Sequence, residues 1–118
     1  MSNILYVYGT LRPGKAEIYK VVGSLYDLGW FPGIKLDGAN EVICERIEIT
    51  DWDAVDRYEG FMPSEPENSL YIRRPFMDGF IYEYNQEAHR AQRIVTGDWL
   101  DYTSQERGKN SGNFGKAA

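Results

Sequence analysis

The sequence predicts an α+β fold, a small mixed β-sheet or β-barrel with few flanking helices, from three observations. Apolar and aromatic runs of strand length recur from Ile4 to Tyr84. A single segment, Thr50 to Gly60, combines helical spacing with a stop signal at one end and a cap at the other. Two runs rich in aromatic and β-branched residues flank Met77-Asp78-Gly79, and Asp-Gly is a strong hairpin signal.

The elements follow in order. Ile4 to Tyr8 reads as a short strand buried on both faces, since its apolar run does not alternate. Ala16 to Val22 reads as one or two helical turns stopped by Gly23. Leu25 to Phe31 is strand-like and is broken at Pro32-Gly33. Glu41 to Ile49 alternates, and its isoleucine side is expected to face inward. Thr50 is placed as the helix N-cap, with Asp51 and Asp53 favourable in the first turn and Gly60 at the stop. Met62 to Leu70, with its prolines and polar residues, is a loop. Leu70 to Phe76 and Phe80 to Tyr84 form the hairpin, and Glu87 to Val95 is irregular or briefly helical. Gly97-Asp98-Trp99-Leu100 reads as a turn that packs an indole. This organisation predicts one domain over residues 1–102 and a polar, mobile tail over 103–118.

Composition narrows the function classes. Hydrophobic residues at 42% supply apolar surface for one packed core, so the chain is not of the disordered class. A net charge of −5 with scattered basic residues speaks against a nucleic-acid partner. Cys44 is the single cysteine, which rules out an internal disulfide and fits a reducing, cytoplasmic setting. One cysteine and one histidine do not make a zinc site of the usual ligands, so no metal is expected. No apolar stretch approaches membrane-spanning length and no leader pattern stands out, so no membrane partner is expected.

Two features carry chemistry. The strand ending in Tyr8 runs into Gly9-Thr10-Leu11-Arg12-Pro13-Gly14. Gly9 lets the backbone approach a ligand, and successive amides in such a turn form a small anion nest. The plainer reading is a strand followed by a turn at Pro13-Gly14. The second feature is Glu59. On a helical wheel it falls in the apolar arc of Trp52, Val55 and Tyr58, with Asp53 and Arg57 opposite. Burial and the negative end of the helix dipole both push such a carboxyl's pKa upward, toward the range of a general acid/base. The competing reading pairs Glu59 with Arg12, Arg73 or Arg74. His89 reads as a solvated residue, and Cys44 as a small wall residue rather than a nucleophile.

Tyr8-Gly9-Thr10-Leu11-Arg12-Pro13-Gly14 followed by Asp56-Arg57-Tyr58-Glu59-Gly60 resembles the γ-glutamylcyclotransferase-like (AIG2-like) family. Tyr71-Ile72-Arg73, Phe80-Ile81-Tyr82 and Gly97-Asp98-Trp99 extend the resemblance across residues 4–102. The resemblance implies a small β-barrel with flanking helices. It also implies an enzyme whose substrate's α-amine attacks its own γ-carbonyl, releasing an amine or amino acid and 5-oxoproline. Glu59 matches the family's catalytic glutamate, and Tyr8, Gly9, Thr10 and Leu11 match the loop that binds the glutamyl end; Tyr8 or Tyr71 would add a hydroxyl donor. No cofactor is implied, because nucleophile and electrophile belong to one molecule. The chain departs from the family at Cys44-Glu45-Arg46-Ile47, where Gly-Glu-Val-Tyr is frequent, and at Lys15-Ala16-Glu17, where an asparagine is frequent.

Three function classes follow: a cyclotransferase acting on a small γ-glutamyl substrate, a non-catalytic pocket protein that binds a small anionic metabolite, and an interaction protein docking through Tyr26, Trp30, Phe31 and Phe61. A glutamate on an apolar helix face favours the first over the third, since a purely structural core helix prefers an apolar residue there.

Overall fold

The computed structural model describes residues 2–38, 40–88 and 90–104. Its strands form two sheets rather than one closed barrel: a five-stranded sheet in the order β2-β5-β1-β7-β6 and a three-stranded sheet in the order β4-β3-β8. The strands are β1 (Ile4–Val7), β2 (Glu17–Val22), β3 (Ser24–Asp27), β4 (Pro32–Lys35), β5 (Glu41–Glu48), β6 (Tyr71–Phe76), β7 (Gly79–Tyr84) and β8 (Gln92–Arg93). Two helices, α1 (Trp52–Glu59) and α2 (Trp99–Tyr102), complete the mixed α+β architecture. No helix among the described residues is long and apolar enough to cross a membrane.

β1 lies at the centre of the large sheet, antiparallel to β5 and parallel to β7. Leu5, Tyr6 and Val7 are all buried, as a strand covered on both faces requires. β7 enters the sheet beside β1 at Gly79, where a Cβ would stand 2.2 Å from the Ile4 carbonyl oxygen, so only glycine allows the approach. The β6–β7 hairpin turns through Met77 and Asp78. Asp78 ties the turn down by accepting from the Tyr6 hydroxyl at 2.6 Å and pairing with Arg46.

Helix α1 begins one residue later than expected. Asp51, not Thr50, is the N-cap, its side chain accepting from the Ala54 amide at 3.2 Å. Thr50 stays in the connection from β5 and leaves the capping position to a carboxylate, which the positive end of the helix dipole also favours. The end is as read from the sequence: Gly60 has φ 74°, and the amides of Gly60 and Phe61 donate to the carbonyls of Arg57 and Asp56.

Several expectations are corrected. Residues 17–22 form strand β2, not a helix, paired along their length with β5. Tyr19 and Val21 turn toward protein while Ile18, Lys20 and Val22 face solvent, the two-residue period of a strand. The β-branched residues and the partner edge outweigh the helical pattern. Gly23, read as a helix stop, is where the chain crosses to the second sheet; a Cβ there would lie 2.7 Å from the Lys35 carbonyl oxygen. Pro32-Gly33 does not break a strand but begins β4, since proline is tolerated as a first strand residue. The turn between β3 and β4 is closed by the Leu28 amide donating to the Phe31 carbonyl and the Gly29 amide donating to the Asp27 carboxylate. β5 is covered on both faces: Val42 and Cys44 are buried on one, while on the expected inward side Glu45 and the following Ile49 are buried and Ile43 and Ile47 half-buried. Within 87–95, Gln92 and Arg93 form a short strand against β3. His89 and residues 105–118, most of the expected tail, lie outside the described residues.

Trp99 is buried at the start of α2, and Gly97, two residues before it, is held at φ 70° with its Cα against β5. A Cβ at Gly97 would be 1.9 Å from the Glu41 carbonyl oxygen. Gly97→Ala is therefore expected to destabilise the protein by about 2 kcal/mol or more, read as a lowered urea midpoint with unchanged slope.

Candidate active site

The loop after β1 is built around a buried carboxylate. Glu45, fully buried on β5, accepts from Arg12 Nε at 2.6 Å and from the amides of Gly14 at 2.9 Å and Ala16 at 2.8 Å. Arg12 also reaches the carboxylate of Asp98, the N-cap of α2, at 3.1 Å. Burial alone would raise the Glu45 pKa, but Arg12 and the two amides outweigh it and hold the carboxyl below its ordinary value. With the loop clamped at 12, 14 and 16, a turn closes earlier than Pro13-Gly14: the Arg12 amide donates to the Gly9 carbonyl at 3.0 Å. Gly9 is buried and Thr10 exposed. Among the described residues, the Thr10 and Leu11 amides donate to no protein acceptor.

Glu59 is fully buried at the last turn of α1. The inward face of the helix is Trp52, Val55, Asp56 and Glu59, whereas Tyr58, expected in the apolar arc, is 41% exposed. Three buried tyrosines lie within electrostatic reach of Glu59: Tyr8 from the end of β1, Tyr71 from β6 and Tyr82 from β7. All three phenols are pushed well above their ordinary pKa, first by burial and then by neighbouring groups that include the Glu59 charge, so they remain neutral. The Tyr8 hydroxyl donates to the Tyr82 carbonyl at 2.6 Å and accepts from the Ile34 amide at 3.3 Å. The Tyr71 hydroxyl donates to the Pro32 carbonyl. In this structure both hydroxyl protons are directed at backbone carbonyls.

The three arginines considered as partners of Glu59 go elsewhere: Arg12 to Glu45 and Asp98, Arg74 to Glu83, and Arg73 to Asp56. Asp56, buried one turn before Glu59, was not singled out from the sequence. Its Oδ1 accepts from the Tyr82 hydroxyl at 2.5 Å, and its Oδ2 lies 3.3 Å from Arg73 Nη1. The signal available was the three-residue spacing to Glu59, which puts both acids on one helix face. Glu45 carried a signal of its own, since the alternation of β5 places it on the face of Ile43, Ile47 and Ile49, the side expected to turn inward.

The remaining candidates play other parts. Cys44 is buried, and burial pushes its thiol pKa up to about 12, which suits a wall residue and not a nucleophile. Of the aromatics considered for docking, Phe31 packs on Tyr71 and Phe61 lies near the Arg73 guanidinium, while Trp30 is 54% exposed. An open pocket of about 270 Å³ between Tyr26, Lys35, Asp37, Glu87 and Ala88 includes none of the residues around Glu59.

Glu45 binds its proton less tightly in the folded than in the unfolded chain. Its pairing therefore stabilises the fold above the ordinary carboxyl pKa of 4.5, and that contribution fades as the pH falls through the lower folded value. Glu45→Gln is expected to cost about 3–5 kcal/mol at about pH 7. The difference from wild type should shrink at about pH 3, in urea titrations at both values.

A model of the gamma-glutamyl cyclotransferase, AIG2-like family matches residues 5–101. A Vibrio cholerae protein provisionally named a gamma-glutamylcyclotransferase is 30% identical over 115 residues, covering 84% of this chain and 96% of that protein. The crystal structure of an uncharacterized protein from Pyrococcus horikoshii superposes with a TM-score of 0.58 at 20% identity, over 89% of this chain and 99% of that one. The second likeness is one of fold.

Proposed function

The chain belongs to the gamma-glutamyl cyclotransferase, AIG2-like family, and from that premise we propose that it cleaves a small γ-glutamyl amine or peptide, releasing 5-oxoproline with Glu59 as general acid/base. The observation that carries this reading is the position of Tyr8. Its buried phenol feels the charge of the buried Glu59, while its backbone leads directly into the Thr10 and Leu11 amides that no protein acceptor among the described residues takes up. An acid kept from water and a main-chain anion cradle are thus joined by one residue.

In this reading the cradle of Gly9, Thr10 and Leu11 binds the substrate's α-carboxylate and so orients the neighbouring α-amine. Glu59 takes a proton from the α-ammonium, and the freed lone pair attacks the γ-carbonyl carbon. The new C–N bond closes a five-membered ring, and the carbonyl π electrons move onto oxygen. Collapse of the oxyanion re-forms the carbonyl and breaks the bond to the departing nitrogen, which leaves with the electron pair. Two protons leave the α-nitrogen and two arrive on the departing nitrogen, so Glu59 ends as it began. Holding both reacting groups of one molecule in ring-closing geometry supplies on the order of 7–11 kcal/mol of the barrier reduction. Tyr8 and Tyr71, with their protons directed at backbone carbonyls, serve as pocket walls that keep water from Glu59.

The test is a panel of γ-glutamyl amines and γ-glutamyl dipeptides with 5-oxoproline as the readout. Wild type is expected to turn over at least one member, and Glu59→Gln to lose on the order of 10²–10⁴ in kcat. Equal rates for the two proteins would remove Glu59 from the chemistry. Binding without turnover across the panel would make the chain a metabolite-binding protein.

A further inference from the structure

Glu59 does not sit alone on its helix face. Asp56, one turn earlier, is buried and accepts from Tyr82 at 2.5 Å on one oxygen, while its other oxygen faces Arg73 at 3.3 Å. The Arg73 side chain is 15% exposed, and its guanidinium lies 4.6 Å from the ring centre of Trp52, 5.1 Å from Phe80 and 5.7 Å from Phe61. Three elements therefore meet at Asp56: α1 supplies it, β6 the cation and β7 the hydroxyl donor. Glu59 acts electrostatically on Tyr8, on Tyr71 of β6 and on Tyr82 of β7, Asp56 shares its helix face one turn earlier, and Arg73 is paired with Asp56.

We propose that the Asp56–Arg73 pair positions Glu59 for proton transfer: Asp56 locks the last turns of α1 onto β6 and β7, and Arg73 cancels the negative charge that this lock places beside Glu59. The inference rests on the reading of Glu59 as the acid/base. Residues three apart on a helix have Cβ atoms about 5–6 Å from each other, so an uncompensated Asp56 carboxylate would disfavour ionisation of Glu59 strongly. A lone Arg73 cation would favour it. With both present the two fields largely cancel, and Glu59 is free to cycle between its forms. The aromatic box fits this balance too, since ring faces hold the guanidinium in place without neutralising it.

Opposite shifts from the two halves of the pair are the signature. The Glu59 carboxyl is followed by ¹³C NMR titration of the free full-length protein, its signal assigned by its loss in Glu59→Gln. Arg73→Met is expected to raise the Glu59 midpoint by about one pH unit and Asp56→Asn to lower it by about one. The double variant should return near the wild-type value, and Arg73→Lys, which keeps the cation, should leave it in place. The acid limb of kcat/KM, measured on the panel member that wild type turns over fastest, should move with the NMR midpoint. Midpoints unchanged in both single variants, or shifted the same way, would overturn the proposal and leave the pair a purely structural clamp. Should Arg73→Met fail to fold, the Asp56→Asn shift decides alone: downward supports the proposal, and unchanged or upward overturns it. The NMR readout needs no substrate, so a panel without turnover would sink the enzymatic reading while the electrostatic result still stands or falls by itself.

Discussion

The burial of Glu45 beneath the loop of residues 12–16 is the constraint on which the rest of the site depends. A carboxylate taken out of water at the middle of the large sheet is costly unless every lone pair is matched. Arg12, Gly14 and Ala16 match it, and in doing so they hold a proline- and glycine-containing loop in one conformation against β5. Arg12 carries the constraint on to Asp98 and thereby to α2. The value of such a pair lies less in net stability than in geometry. It holds the turn that leaves the Thr10 and Leu11 amides open.

A second constraint joins the two sheets. Tyrosine hydroxyls from the large sheet bond backbone groups of β4: Tyr8 with Ile34, and Tyr71 with Pro32. Lys35 Nζ donates to the Tyr84 carbonyl, and the Leu36 amide to Glu83. Gly33 completes the seam, since a Cβ there would lie 2.7 Å from the Leu28 side chain and 2.9 Å from Tyr84. The nine tyrosines of the chain thus include several that are fasteners, apolar in body and bonded at the tip. Tyr8 and Tyr71, which fasten this seam, are also phenols that feel the charge of Glu59.

The buried acids divide into two kinds. Glu45 and Asp56 each have an arginine close by and act on backbone position, one on a loop and the other on a helix. Glu59 lies within electrostatic reach of the phenols of Tyr8 and Tyr71, whose burial keeps them from ionising. That division separates residues that shape the site from the one proposed to carry protons in it.

Much of the framework was legible in the residues alone. The buried run ending at Gly9, the helix stopping at Gly60, the hairpin over residues 71–84, the buried Trp99 and the inward place of Glu59 all follow from periods and caps. Those signals are local: they belong to backbone preferences within a few residues. What the sequence did not disclose depends on partners far along the chain. Residues 17–22 become a strand because β5 offers its edge, and Pro32 starts a strand because β3 lies beside it. Asp56 and Glu45 are buried because Arg73 and Arg12 arrive from other elements. The hydroxyls of Tyr8 and Tyr71 are occupied because β4 passes over them. Local propensity decides where an element begins and ends. Only the packed structure decides which charges and hydroxyls are left for chemistry, because desolvation and pairing are set by neighbours in space.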